Sequence, residues 1–363
     1  MVARGNNYCY LLILWCLLSR ASGKSLSCLD DNGAPVDWFM GYKLPDGLQY
    51  HRFDSANVYW KKSDKTLAKG DGSMVENTFQ AAFSLTGQPN SLFGMYNDQT
   101  QPEPVQLGTS YSYWWGHMKG LIAFDQQGYG FWLIHSVPKM SASNTTYEYP
   151  KTGQKYAQNM MCISLRKDDS LSSIIESMII SRPLFQAYYI ADEVRQDYPN
   201  LLQLFQNERI ASKNVTFVKD FKTSANSIEV RYFSKAIKFN NDLYSELVAP
   251  NIMTSMQMEG WRHGKGRLES ECTEKFHVEN IKQVSWSQFG MPDVTFETLS
   301  DHAKWAVSVP DAKSKWTCLG DINRMSTQFR RGGGTMCFRD SRIWILFQGL
   351  VAELETCPTK PFL

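Results

Sequence analysis

Two short patterns in this chain place an imidazole and an ammonium group two residues apart: His117-Met118-Lys119 and His302-Ala303-Lys304. In an extended strand, side chains at i and i+2 point to the same side, so each pair can address one phosphate together. Lysine is a compact cation suited to a non-bridging phosphate oxygen. Histidine can attack phosphorus, or hand a proton to the leaving oxygen. If two such pairs face each other, one imidazole serves as nucleophile and the other as general acid, then base. Two lysines would neutralise the developing charge, so this chemistry calls for no metal and no cofactor. It is the chemistry of phosphodiester hydrolysis, and acid favours the protonated imidazole that the leaving group needs.

Spacing alone is a cheap signal, because His263-Gly264-Lys265 is a third copy. That copy sits in a glycine-rich basic stretch, Trp261 to Arg267, and reads as a solvated or DNA-facing loop. The other two are each followed by an apolar, strand-like run, and they lie about half a chain apart. Two pseudo-symmetric halves, each giving one pair to a shared cleft, would produce that arrangement.

The elements that must position these residues are short strands mixed with helices. Strand-like runs cover 36–40, 91–96, 120–124, 130–136 and 160–165, bounded by Gly, Asn, Asp or Pro. Leu171, Ile174, Ile175, Met178 and Ile179 have helical spacing, and Pro199 is placed to open a further helix. In the second half, 227–233 and 303–309 read as strands. Residues 340–355 read as a closing helix with Ile343, Phe347, Leu350 and Leu354 on one face. The class is mixed α/β or α+β. A leader over 1–23, a first half over 24–168 and a second over 169–363 would form one compact pseudo-dimeric body.

The leader reads as a signal peptide: Arg4, then an apolar run from Tyr8 to Leu18, then small residues at Ala21-Ser22-Gly23. The run is well short of the roughly 20 residues that a spanning helix needs, so membrane insertion is not expected. Six cysteines follow it, and an even count in a secreted chain argues for three disulfides among many possible connectivities. Zinc is a poor alternative, since the chain has no C-x2-C pair. Asn144 and Asn214 begin glycosylation sequons. Loss of Arg4 and Arg20 with the leader brings the formal charge of +2 to zero. A neutral protein is a poor polyanion binder, but near pH 5 its histidines charge and the balance swings positive. A nucleic-acid ligand would therefore be preferred in acid.

Longer blocks carry a resemblance. Cys28-Leu29-Asp30-Asp31-Asn32-Gly33, with Pro35 to Phe39 and Tyr42 to Pro45, resembles the mature start of the deoxyribonuclease II family. So do Tyr96-Asn97-Asp98, Gly116 to Gly120, Gly130 to Pro138, Asp301 to Trp305, Trp316 to Arg324 and Arg331 to Cys337, in order along nearly the whole mature chain. The resemblance implies a phospholipase D-like fold of two fused halves, and a metal-independent acid endonuclease of lysosomes or secretions. Such an enzyme acts on DNA, leaves 3′-phosphate ends and needs no obligate protein partner. It also implies His117 and His302 as catalytic histidines, Lys119 and Lys304 as phosphate ligands, and disulfides Cys28–Cys162, Cys272–Cys357 and Cys318–Cys337.

The chain departs from the wider superfamily pattern in its acids. Asp125 and Asp311 fall one and two positions late, so neither is expected to orient a histidine. Gly320-Asp321-Ile322-Asn323 resembles the superfamily's G-S-x-N block, which makes Asn323 an expected phosphate or imidazole partner. In the first half His135 stands near the equivalent offset, eighteen residues after His117, and we expect it in the site. Arg330 and Arg331, with the glycines that follow, are candidate phosphate contacts, and the nearby Tyr113, Trp114 and Trp115 could stack on bases. The competing reading is a relative of the same fold that binds nucleic acid, or acts as a toxin-like secreted factor, without relevant turnover. Phospholipid hydrolysis shares the catalytic chemistry but lacks the flanking blocks.

Overall fold

The computed structural model describes residues 25–99, 114–140, 143 and 145–357. The leader and the Asn144 sequon lie outside them. Two large sheets stand face to face. The first uses β1 (Trp38–Lys43), β2 (Gln49–Asp54), β3 (Asn57–Thr66), β4 (Leu92–Asn97), β5 (Lys119–Phe124), β6 (Tyr129–His135), β7 (Gln158–Arg166) and β8 (Phe185–Ile190). Its spatial order is β8-β4-β5-β6-β7-β1-β2-β3, antiparallel throughout. It draws β8, an edge strand, from beyond residue 168.

The second sheet uses β9 (Thr216–Lys222), β10 (Glu229–Lys235), β11 (Met256–Glu259), β12 (Val278–Ser285), β13 (Thr295–Glu297), β14 (Trp305–Ser308), β15 (Trp316–Gly320), β16 (Gly333–Arg339) and β17 (Val351–Leu354). Its order is β9-β10-β16-β15-β14-β11-β12-β13, with β17 also on β12. Only the β11–β12 pair is parallel. The mixed α/β class expected from the sequence is what forms.

Alternation along the strands decides which face meets which. Trp132 and Ile134 of β6 join Tyr232 of β10 and Trp305 of β14 in one continuous core between the sheets, while Phe131 and Leu133 join a separate core on the outer face. Trp132 and Tyr232 meet at 4.6 Å across the interface. Helix α1 (Met74–Phe83) covers the outer core of the first sheet, its N-terminus capped by Ser73, whose hydroxyl accepts from Glu76 N. Helix α2 (Lys167–Ser181) leaves β7 and packs on β9 and β10 of the other sheet. The closing helix, Ser341–Gln348, leaves β16 and packs back on β3, where Trp60 Nε1 donates to the Leu346 carbonyl at 3.0 Å. Both helices thus bridge the two sheets.

The closing helix is shorter than its apolar spacing predicts. Asp340 caps it by accepting from Arg342 N and Ile343 N, and Ile343 and Phe347 are buried as expected. It stops at Gln348, and Leu354 belongs to β17, paired on β12. A helical stripe of four has merged one helix with the strand that follows it. The three disulfides are those the resemblance implied: Cys28–Cys162, Cys272–Cys357 and Cys318–Cys337. The last joins directly paired positions of β15 and β16. Among the described residues, no helix is long and apolar enough to cross a membrane.

Candidate active site

The sheets bring the two His-x-Lys pairs into one place. Lys119 opens β5, with His117 just before it, and His302 and Lys304 lead directly into β14. The ties that hold them cross between halves and match in pairs. His117 N donates to the Gly332 carbonyl at 2.8 Å, and His302 N to the Ala157 carbonyl at 2.9 Å. His117 Nδ1 lies 2.7 Å from the Asp321 carbonyl oxygen, and His302 Nδ1 lies 3.0 Å from that of Ser136. A carbonyl only accepts, so the Asp321 and Ser136 oxygens favour the tautomer with hydrogen on Nδ1 and Nε2 free, although at His302 the Lys304 Nζ also lies 3.2 Å from Nδ1. Lys119 N donates to Asp321 Oδ1 at 3.3 Å, and Lys304 N to Asn159 Oδ1 at 3.0 Å.

The glycines near His117 serve close packing. A Cβ on Gly332 would come within 2.0 Å of the Ser181 carbonyl oxygen, and one on Gly116 within 2.3 Å of the same atom. Any side chain there would push the end of α2 off the strand entry that carries His117. These glycines face protein, not an open cradle for phosphate.

The acidic partners come from positions that the sequence left without roles. Asp98 accepts from Lys119 Nζ through one oxygen and from Arg331 Nη2 at 3.1 Å through the other. Burial alone would raise its carboxyl, but Lys119, His117 and Arg331 outweigh that and hold it far below the usual range. Gln158 Oε1 lies 3.1 Å from His302 Nδ1 and also accepts from Ser136 Oγ at 2.6 Å. Asp301 accepts from the Tyr42 hydroxyl and from Ala303 N at 2.8 Å, and burial pushes it up to about 6. Burial likewise pushes Asp321 up to about 8, against the pull of Lys119. Glu259, fully buried at the end of β11, is raised well above its ordinary value by burial and by the Asp301 charge.

Both imidazoles are held well below their ordinary value. For His117 the causes are burial, then the charge of Lys119; for His302 they are burial, then Lys304, Lys119 and His117. Lys304 is lowered by burial and by Lys119. The four groups share one field. Burial thus pushes Asp301, Asp321 and Glu259 toward their neutral forms, which leaves less negative charge to oppose a bound phosphate.

The remaining expected residues fall in different places. Asn323 is buried, and its Oδ1 accepts from Trp261 N at 3.1 Å; the Trp261 ring meets His302 edge-on at 5.0 Å. It therefore reaches the imidazole through a neighbour. His135 ends β6 one position past the Gly120–Ile134 pair, side by side with Lys119 on the outer face. Its Nδ1 accepts from Val137 N at 3.2 Å, and burial, then Lys119, lower it to about 3. Arg331 is inside the protein, committed to Asp98 and to the Trp115 carbonyl at 3.1 Å. Arg330 is exposed and bonds Asn240 Oδ1 at 3.1 Å. Asp125 organises the β5–β6 turn, accepting from Gln127 N and Tyr129 N, and Asp311 is an exposed turn residue, so neither orients a histidine. Tyr113 lies outside the described residues. Trp115 is buried and Trp114 is exposed, and Asn214 is exposed just before β9.

Comparison with known proteins places this geometry. The family model described as Deoxyribonuclease II matches residues 27–357. The chain is 31% identical to deoxyribonuclease-2-beta of Homo sapiens over 98% of this chain and 99% of that one. It is 30% identical to deoxyribonuclease-2-alpha of Sus scrofa, covering 92% and 91% of the two chains. It is 32% identical to plancitoxin-1 of Acanthaster planci, covering 93% and 94%. Among solved structures, yeast tyrosyl-DNA phosphodiesterase overlaps 62% of this chain and 67% of its own, at 11% identity and a TM-score of 0.29, and no reading rests on that overlap. Matched from Ser27 to Cys357 and aligned end to end with those relatives, the chain belongs to the deoxyribonuclease II family.

Proposed function

We propose that this chain is an acid endodeoxyribonuclease that cuts DNA through a phosphohistidine, leaves 3′-phosphate ends and works in lysosomes or secretions. The observation that carries the reading is the crossed pair of Nδ1 hydrogen bonds. Each Nδ1 faces a main-chain carbonyl of the opposite half, an arrangement that turns Nε2 to the phosphate, and each imidazole feels the charge of the lysine two residues on. One Nε2 attacks phosphorus and a P–N bond forms as the P–O5′ bond breaks. The protonated Nε2 of the other imidazole gives its proton to the departing 5′ oxygen. That imidazole then takes a proton from water, whose oxygen attacks phosphorus as the P–N bond breaks, freeing the first imidazole and leaving the phosphate on the 3′ oxygen. His117, Lys119, His302 and Lys304 contact the reacting group. Asp98, Gln158 and His135 position them, and Asn323 acts through Trp261.

The depressed imidazoles explain why acid is needed. The general acid must hold a proton, and an approaching phosphate offsets the lysine charges that oppose it. Lys119 and Lys304 supply the cationic charge that a metal supplies in other phosphodiesterases. Plasmid cleavage at about pH 5 in EDTA tests the reading: nicking by the wild type, abolished in His117→Ala and His302→Ala, is the expected outcome. A wild-type protein that binds DNA but does not cut it would instead be the non-catalytic relative. Greater activity on a phosphatidyl lipid than on DNA would overturn the choice of substrate.

A further inference from the structure

The third His-x-Lys copy is not the loose loop that its glycines suggest. Trp261, whose edge meets His302 at 5.0 Å, stacks on His263 with ring centroids 4.1 Å apart and planes 33° apart. Tyr156 closes the group, meeting Trp261 at 4.7 Å and His263 at 5.7 Å. All three rings are half-buried, unlike the fully buried tryptophans of the core. Trp261 and Tyr156 are tied to the site through their backbones, and His263 is anchored through its ring. Trp261 N donates to Asn323, the His263 ring bonds the Leu299 carbonyl, and Tyr156 precedes Ala157, whose carbonyl accepts from His302 N. Beyond His263 the chain turns at Gly264 and Gly266, both at positive φ, and leaves Lys265 and Arg267 exposed. Arg262 points elsewhere, paired with Glu355 at 2.6 Å.

We propose that Tyr156, Trp261 and His263 form a subsite that stacks an unpaired base next to the scissile phosphate, with Lys265 and Arg267 taking the following backbone phosphate. The inference rests on the nuclease reading and extends it to one nucleotide beyond the cut. Aromatic faces bind any base, so the contact is tolerant of sequence. A base can reach it only when out of the duplex stack, so the subsite favours single-stranded, frayed or transiently opened DNA. Lys265 and Arg267 would add salt dependence without base preference.

The test uses full-length protein and single-stranded oligonucleotides with one abasic site walked along them. Cleavage at about pH 5 gives KM and kcat, and fluorescence titration of the non-cleaving His117→Ala protein gives binding. On intact DNA, Tyr156→Ala is expected to raise KM by about 10- to 100-fold, with Tyr156→Phe close to wild type. On the oligonucleotide lacking the base at the subsite position, the gap between wild type and Tyr156→Ala should close. His263→Ala, a loop variant, provides a second reading if Tyr156→Ala folds poorly. An equal loss on intact and abasic DNA would mean that the rings only brace His302, and no loss on either would mean no subsite; both overturn the proposal. Failure of the nuclease reading is seen separately, as wild-type protein that leaves plasmid uncut.

Discussion

The main-chain carbonyl of Asp321 receives the Nδ1 hydrogen of His117 at 2.7 Å, from 204 residues further along the chain. Because the acceptor is backbone, replacing the Asp321 side chain leaves it in place. Asp321→Asn also mimics the neutral carboxyl expected in acid. Its kcat/KM on plasmid DNA at about pH 5 should stay within about tenfold of wild type, a barrier change of about 1.4 kcal/mol. A loss of three orders of magnitude would instead assign the carboxylate a direct part in the chemistry.

Gln158 offers the opposite case, since its side chain itself touches the His302 ring. Gln158→Glu keeps the shape and adds negative charge beside an imidazole that is otherwise held low. Opposite charge favours the protonated ring, so its proton is kept to higher pH. The limb of the pH–rate profile that reports His302 should move up by about one unit, while Gln158→Leu should not move it upward.

Asp98 is shared by Lys119 and Arg331 inside the protein. Asp98→Asn leaves two buried cations with no compensating charge, at a cost of about 3–5 kcal/mol. Its charge also supports protonation of His117, so its removal should shift the limb of the profile that reports His117 to lower pH. Thermal melts and pH profiles of the same preparation would separate these effects. An unchanged melting temperature would contradict the buried ion pairs.

Asp301 makes stability depend on pH with a definite sign. Burial raises it to about 6, so the folded protein holds a proton that the unfolded chain has released. This contribution is fully present below about pH 4 and is lost as pH rises through about 6, on the order of 3 kcal/mol. Asp301→Asn removes that dependence. Relative to wild type, the variant should gain stability between about pH 4 and pH 7 in denaturant titrations; a constant difference would refute the assignment.

The covalent step separates the two histidines. Stopping the reaction in alkali, where a phosphohistidine survives, should trap labelled phosphate on the protein in only one of His117→Ala and His302→Ala. Trapping in both, or on another residue type, would break the mechanism.

The two His-x-Lys pairs were legible as candidates because their signal is local: two residues at strand spacing, each leading into an apolar run. Their partners were not. Asp98 meets Lys119 because it directly follows β4, whose last residue, Asn97, pairs with Lys119 of β5, and Gln158 meets His302 because β7 faces the second half; neither relation has a sequence spacing. Asp98, Asp301 and Asp321 all lay inside the matched blocks, but which group each one serves is a tertiary fact. Arg331 looked like a surface cation because a glycine-rich basic run usually is one, and only the packing of α2 shows it turned inward. The third His-x-Lys copy misled in the other direction, since aromatic contacts with Tyr156 come from a distant loop. The closing helix was overextended because Leu354, in β17, happens to continue a helical stripe.

The crossed hydrogen bonds have a consequence for how activity arises in time. Neither half alone can set the tautomer of its own imidazole, because the acceptor for His117 lies beyond β15 and that for His302 lies beyond β6. A chain whose second sheet has not yet docked carries both histidines and both lysines but no competent acid–base pair. On the proposed mechanism, cutting therefore waits for completed assembly.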